Sequence, residues 1–252
     1  MRRIVPAYIP PTNQAAWADV FARQPYAIVA NPASGPGSEI DPGWQAVIAE
    51  AKARKILTYG YVPVNNGVPS GGYVPPGWQP GSPLLTVVAE TGPCDAWDAP
   101  ALIAWWAALY QPDGIFLDEF DIDDAPGSWP QLAASILYAR RRTDPRRDST
   151  QAQRVIVNPG RMPSTALRQA MPTVACWVTH ENRDTNGPSV DDIGPPYDPA
   201  NGAHDGRQGW LSYNDPDPER TMARLDELGW GYGWSCSDPA PLSNPWDGDP
   251  AT

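Results

Sequence analysis

The sequence of 252 residues is poor in several residue types, and each shortage argues against a class of protein. Its three cysteines, Cys94, Cys176 and Cys236, lack C-x-x-C spacing, which disfavours a zinc knuckle and a disulfide framework, although one disulfide stays open. The only histidines are His180 and His204, and no third ligand is spaced for zinc. We therefore expect neither a metal ion nor another cofactor.

Positive charge and long apolar runs are also scarce. Lys and Arg total 18 against 29 Asp and Glu, which gives a net charge of -11. Binding to a phosphate backbone requires neutralising side chains, so we expect no nucleic-acid partner. No stretch approaches the roughly 20 apolar residues that cross a bilayer, so we expect no membrane insertion. The start of the chain as given has no apolar run of signal-peptide length, and no G-x-S-x-G motif supports a serine esterase.

Short β-branched runs alternate with helical patterns along the chain, which is typical of parallel βαβ units. The predicted strands are 4–9, 26–31, 56–62, 114–118, 154–158, 173–179, 209–213 and 231–234. The predicted helices are 13–23, 43–54, 97–110, 129–142, 164–170 and 218–228. Asn13 and Asp217 are predicted N-caps, and Gly229 is a predicted C-cap glycine. This order predicts an α/β protein, a single (β/α)8 barrel of the TIM type over residues 1–239, with 240–252 as a surface tail.

A doubly wound open sheet is the alternative architecture. It is disfavoured because Pro10-Pro11-Thr12, and not a glycine-rich phosphate loop, follows the first predicted strand. Two long connections, 65–95 after the third strand and 183–208 after the sixth, interrupt the pattern. Connections of this length are usually functional, and we expect both to border the cleft.

Polar side chains stand where four of the predicted strands end. Asn31 ends the second strand, Asp118 ends the fourth and Glu119 follows it, Asn158 ends the fifth, and Glu181 follows the sixth. All strands of a parallel barrel open at their carboxyl ends onto the same face, and that face holds the active site of such enzymes. We therefore expect these side chains to share one site.

Strand alternation orients the acidic side chains. Asp118 shares a face with Phe116, and the adjacent Glu119 takes the opposite face, so only one of the two acids can point into the barrel. Asp118 is favoured because it still lies within the strand, and Glu119 would then support the site. If the sixth strand stays extended, Glu181 shares a face with Trp177.

Two carboxylates at one rim, with aromatic rings nearby, are what glycoside hydrolysis requires. One carboxylic acid protonates the leaving oxygen, while the other attacks the anomeric carbon or activates water. The catalytic candidates are Asp118, Glu181, Asn158 and Glu119. Flat rings and polar groups that could contact a sugar give the substrate-binding candidates, which are Tyr8, Asn31, Tyr61, Trp177, His180, Trp210 and Trp234.

Other interpretations of these residues stay open. A strand-end Asp or Asn often only caps the following turn. The acidic run 118–124 could bind calcium, but it lacks the glycine of an EF-hand loop, which favours a solvated loop. A metal-dependent hydrolase or deacetylase using this run is one rival function. A carbohydrate-binding module without turnover, such as an adhesin on the same barrel, is the other.

Five short motifs give the sequence a family resemblance. They are IVPAYIPP (4–11), VANPASGPG (29–37), TYGYV (58–62), DGIFLDE (113–119) and VNPG (157–160). In this order they resemble the spherulation-specific family 4 proteins, over roughly residues 4 to 181. The resemblance implies a (β/α)8 fold and a glycoside hydrolase that cuts galactosamine-rich microbial exopolysaccharide with retention of configuration.

The resemblance also implies roles for three residues of this chain. Asp118 would be the nucleophile or charge stabiliser, Asn158 a functional amide, and Glu181 the general acid/base. The reverse assignment, and Glu119 in place of Asp118, stay open.

The expected partner is a polysaccharide of the microbial cell wall or exopolysaccharide, of a galactosamine, galactose or arabinogalactan type, cut at internal bonds. The Pro- and Trp-rich, Lys-poor composition is like that of a high-GC actinobacterium or its phage. We therefore expect action outside the cell, in a virion or cell-surface assembly or after release.

Overall fold

The computed structural model describes residues 1–33, 35–37, 39–63, 99–118, 155–171, 174–182, 190–196 and 206–237. In this part of the chain, eight parallel strands close into a barrel in chain order. The strands are β1 (Arg2–Ala7), β2 (Ala27–Ala30), β3 (Leu57–Pro63), β4 (Gly114–Asp118), β5 (Val155–Val157), β6 (Cys176–Asn182), β7 (Gln208–Ser212) and β8 (Tyr232–Ser235). The closed order, β1 beside β8, confirms the predicted (β/α)8 barrel and not the open sheet.

Helices follow most of the strands. They are α1 (Gln14–Ala22), α2 (Pro42–Ala53), α3 (Ala99–Leu109), α4 (Thr165–Ala170) and α5 (Pro218–Glu227), with a short 3-10 helix at Val190–Asp192. Asn13 caps α1 by accepting a hydrogen bond from the Ala16 backbone N–H, and Asp217 caps α5 in the same way. Gly229 after α5 has φ +78°, as a C-cap glycine should.

Most strand limits differ from the predicted ones by a residue or more, and β1 and β6 extend two or three residues beyond them because pairing with distant strands sets these ends. β1 begins at Arg2, which pairs with Tyr232 of β8 where the barrel closes. β6 runs on to Asn182, since it pairs with β7 as far as Ser212. Local sequence cannot show either partner.

Contacts of glycines show which side of the sheet faces the barrel interior. A methyl group on Gly60 of β3 would meet the Trp106 ring of α3 at 2.5 Å, so Gly60 faces the helices and its neighbours Tyr59 and Tyr61 face inward. On β7, a methyl group on Gly209 would meet Cys176 of β6, so Gly209 faces inward. We call the two sides inward and outward.

The amino-terminal end of the barrel carries a basic and aromatic cluster. The Arg2 guanidinium donates a hydrogen bond of 2.7 Å to the Tyr232 hydroxyl. It also lies over the Tyr26 ring at 5.2 Å. Burial raises the pKa of Tyr232 to about 12, although the Arg2 charge acts in the opposite direction.

Several predictions fall outside the described residues. They concern the helix at 129–142, the long connection at 65–95, most of the connection at 183–208, the tail at 240–252, Cys94 and Glu119. Cys176 and Cys236 are both buried, and no disulfide joins them. No helix in the described ranges is long and apolar enough to cross a membrane.

Candidate active site

Three polar side chains meet at the mouth, by which we mean the carboxyl-terminal end of the barrel strands. Asp118 is the last residue of β4, Asn158 follows β5 directly, and Glu181 lies near the end of β6. The Asn158 side-chain nitrogen Nδ2 donates 2.7 Å to Oδ1 of Asp118 and 3.1 Å to Oε2 of Glu181. Asn158 is 3% exposed, while both carboxylates are half-buried. One amide group therefore bridges the two acids.

The turn after β5 fixes the orientation of that amide. The Gly160 backbone N–H donates 3.0 Å to Oδ1 of Asn158. Because Oδ1 accepts from the backbone, Nδ2 must face the carboxylates, and the two donors of the NH2 group match two acceptors. Gly160 has φ +66° and its carbonyl accepts from the Glu181 backbone N–H at 3.3 Å. The turn thus holds both the Asn158 side-chain amide and the backbone of Glu181.

These hydrogen bonds limit the separation of the acids. With Nδ2 at 2.7 Å from one carboxylate oxygen and 3.1 Å from the other, those oxygens lie at most about 5.8 Å apart, the sum of the two distances. Retaining glycosidases hold their carboxyl groups about 5 to 5.5 Å apart, and inverting enzymes about 6.5 to 9.5 Å apart. The two hydrogen-bonded oxygens therefore lie closer together than the inverting range.

A β-bulge interrupts β6 just before its acidic residue. Val178 and His180 pair with the consecutive residues Gly209 and Trp210 of β7, so Thr179 is an extra residue. Two residues of β6 therefore oppose one residue of β7.

The bulge decides the direction of Glu181. Val178 faces inward like its partner in β7, so regular alternation would turn Glu181 outward, to the side of Trp177. After the extra residue, Glu181 pairs with Leu211, an inward position of β7. Glu181 and Trp177 were expected to share a face if the strand stays extended, and the bulge means that this condition is not met.

Aromatic rings line the inward side near Asp118. The Tyr8 and Tyr61 rings meet edge to face with centroids 5.6 Å apart, and Tyr61 stacks on Phe116 at 6.4 Å. Phe116 precedes Asp118 by two residues on the same face of β4. Substrate contact for Tyr8 and Tyr61 stays a prediction. Phe116 was not among the candidates, although strand alternation places it beneath Asp118.

Three predicted substrate-binding residues lie on the outward side. Trp177 is fully buried at 0% exposure, and Trp210 is 7% exposed and packs with Met222 and Leu225 of α5. The half-buried His180 stacks on Trp210, with ring centroids 3.5 Å apart. The structure does not support substrate contact for Trp177 and Trp210, because both face the helix layer. His180 belongs to the same outward side.

The remaining candidates occupy different settings. The Asn31 side-chain oxygen accepts 2.8 Å from the Gly35 backbone N–H and so closes its own loop. Trp234 is buried in the main core and pairs with Leu211, which places it inward at the level of Glu181.

Among the described residues, no group of three His, Cys, Asp or Glu side chains is placed to hold a metal ion.

Gly160 is a residue whose importance the sequence did not reveal. A methyl group added there would lie 3.5 Å from Oε2 of Glu181, and the positive φ disfavours any side chain. The Asn-Pro-Gly order directly after a strand indicates a tight turn. It does not indicate which side chain the turn would touch.

Comparison with protein families gives a match to the description "Spherulation-specific family 4" over residues 3–194. The chain belongs to this family. This family 4 protein is similar in structure to Aspergillus clavatus Sph3 in complex with GalNAc, with 17% identity, a TM-score of 0.60 and coverage of 99% of this chain and 92% of that chain. A chitinase from Chromobacterium violaceum has 14% identity, a TM-score of 0.43 and coverage of 83% and 67%. The likeness to Sph3 shows the shared fold. No curated protein sequence matches the chain.

Proposed function

We propose that this family 4 protein is a glycoside hydrolase that cuts internal bonds of a polysaccharide with retention of configuration. The observation that carries the proposal is the Asn158 amide, which holds Asp118 and Glu181 within one hydrogen-bonded network. Two carboxyl groups this close to each other, half-buried at the open end of a (β/α)8 barrel, suit a double-displacement reaction.

The reaction needs one carboxylate and one carboxylic acid. In the first step, Glu181 donates its proton to the glycosidic oxygen as the bond to the anomeric carbon breaks, and Asp118 forms a bond to that carbon or stabilises its positive charge. In the second step, water attacks the same carbon, Glu181 takes the proton of the water, and Asp118 leaves. The Asn158 amide donates to Oδ1 of Asp118 and so holds this carboxylate in place.

The family and its structural neighbour support a proposal for the substrate class. Sph3 was crystallised with GalNAc, so we propose a polysaccharide that contains galactosamine or N-acetylgalactosamine, with galactose or arabinogalactan polymers as further candidates. We propose that the protein meets this polymer outside the cell.

The first test is the release of reducing ends from galactosaminogalactan, actinobacterial arabinogalactan and bacterial capsules. Asp118→Asn and Glu181→Gln should each lower the rate at least about a hundredfold, because each removes a group that reacts in the transition state. The matched controls are Asp191→Asn and Glu50→Gln, which make the same chemical changes at exposed ion pairs. Both controls should keep the activity of the parent.

The outcomes separate the rival functions. A first product with the anomeric configuration of the substrate, seen by NMR, supports retention, and the opposite anomer contradicts it. Binding of a glycan without cleavage of any polymer would favour a non-catalytic binding module. Loss of activity with excess chelator would favour the metal-dependent hydrolase.

A further inference from the structure

We propose that Thr179 and His180 are positioning residues of the site, because they form the bulge that turns Glu181 toward Asn158. In this role neither residue contacts the substrate, in contrast to the sequence-based expectation for His180. The inference rests on the proposed function, in which Glu181 is the acid/base. Bulges are frequent next to active sites and at barrel rims, where they redirect a side chain.

Both bulge residues are held by side-chain contacts to β7. The Thr179 hydroxyl donates 3.2 Å to Oε1 of Gln208, and both groups are buried. The His180 imidazole lies flat on the Trp210 indole, with an interplanar angle of 14°. These contacts need both side chains on the outward side, which is possible only when one of the two residues is extra.

The surface that receives His180 is itself fixed. The Trp210 indole N–H donates 3.1 Å to the Ser212 hydroxyl, which donates 2.8 Å to the Ser235 hydroxyl. The Ser235 hydroxyl in turn donates 2.5 Å to the carboxylate of Asp215. This buried chain joins β7, β8 and the loop after β7, so the Trp210 ring is a rigid support.

The alternative arrangement of β6 explains why these contacts matter. In an unbroken strand, His180 would point into the barrel and Glu181 would point outward, against the helix layer. The hydrogen bond of 3.1 Å between Asn158 and the Glu181 carboxylate would then be lost. The stack on Trp210 and the bond to Gln208 favour the bulged arrangement, and they thereby place Glu181.

The test compares three variants in polysaccharide hydrolysis. His180→Ala removes the ring, and we expect kcat to fall about ten- to a hundredfold with KM changed less than about threefold, since a misplaced catalytic group costs rate more than binding. His180→Phe keeps a flat ring on Trp210 and should restore kcat to within about threefold of the parent. Thr179→Val removes the hydroxyl and should lower kcat less than His180→Ala does.

Structures of the parent and of His180→Ala provide a readout that does not depend on activity. We expect the distance between Nδ2 of Asn158 and Oε2 of Glu181 to exceed hydrogen-bonding range in the variant, while circular dichroism shows a folded barrel. The inference is overturned if that hydrogen bond persists and kcat is unchanged. A His180→Phe variant as slow as His180→Ala would also overturn it, since the ring would then act through its nitrogen atoms. If the parent cleaves no polymer, the proposed function fails, and the two structures still decide whether His180 places Glu181.

Discussion

At the residue scale, the mouth depends on one amide whose direction is set by a backbone turn. Asn158 could serve either as donor or as acceptor toward the acids, because its oxygen and nitrogen occupy equivalent positions. The Gly160 backbone N–H decides between them by occupying Oδ1. A residue with no side chain therefore controls which atoms of Asn158 face Asp118 and Glu181.

Gly160→Ala tests this dependence. The left-handed φ of +66° is strained for alanine, and the new methyl group would lie 3.5 Å from Oε2 of Glu181. We expect kcat to fall about tenfold with a smaller change in KM, because the turn that orients the amide and Glu181 shifts. Steady-state kinetics on the polysaccharide that the parent cleaves would measure this.

The control for strain alone is Gly229→Ala, at φ +78° after α5, on the opposite end of the barrel from the mouth. It should lower the melting temperature and leave kcat as in the parent. Equal kcat losses in the two variants would contradict a specific role for Gly160.

At the element scale, close packing of α3 on β3 depends on the absence of a side chain at Gly60. Gly60 lies against the ring of the fully buried Trp106, whose indole N–H donates 2.7 Å to the Tyr61 carbonyl. The ring is thus held between Gly60 and the Tyr61 carbonyl, and it cannot easily move away from an added side chain.

Gly60→Ala should therefore destabilise the fold. A methyl group placed 2.5 Å from the Trp106 ring must push α3 away from β3, and such overpacking costs about 1–3 kcal/mol. Urea unfolding monitored by tryptophan fluorescence would measure the loss. Gly194→Ala has no atom within 4 Å of the added methyl and should keep the stability of the parent. A Gly60→Ala variant as stable as that control would refute the packing argument.

The element scale also shows how far sequence patterns reach. Alternation of β-branched runs and helical patterns was sufficient to predict each described strand within a few residues, since local propensity and periodicity set these elements. Cap residues such as Asn13 and Asp217 were predicted because their side chains satisfy backbone groups only three residues away. The β6 bulge was not predicted, because its cause lies in contacts with β7.

At the scale of the whole molecule, closure of the barrel joins the first and last strands. Arg2 of β1 and Tyr232 of β8 pair in register and also share a side-chain hydrogen bond. Burial of the Tyr232 hydroxyl raises its pKa from 10.0 to about 12, so the folded protein keeps a proton that the unfolded chain releases.

The sign of this shift predicts a pH dependence. The contribution of neutral Tyr232 to the free energy of unfolding is fully present below pH 10 and is lost as the pH rises through about 12. The reason is that the unfolded chain binds fewer protons than the folded protein between these two pH values. Tyr232→Phe should therefore show a shallower loss of unfolding free energy between pH 10 and 12 than the parent. Urea midpoints across that range would measure it, and identical slopes would contradict the raised pKa.

The sequence by itself determined the order of strands and helices, and it determined that polar residues stand where the strands end. In a parallel barrel, this is enough to bring Asp118, Asn158 and Glu181 to one mouth, since all carboxyl ends open on the same side. Only the tertiary structure decided that Glu181 points inward while Trp177, His180 and Trp210 face the helices. The physical reason is that successive side chains alternate between the two faces of a strand. One bulge, stabilised by contacts with a neighbouring strand, adds a residue and so reverses the faces of the residues that follow it.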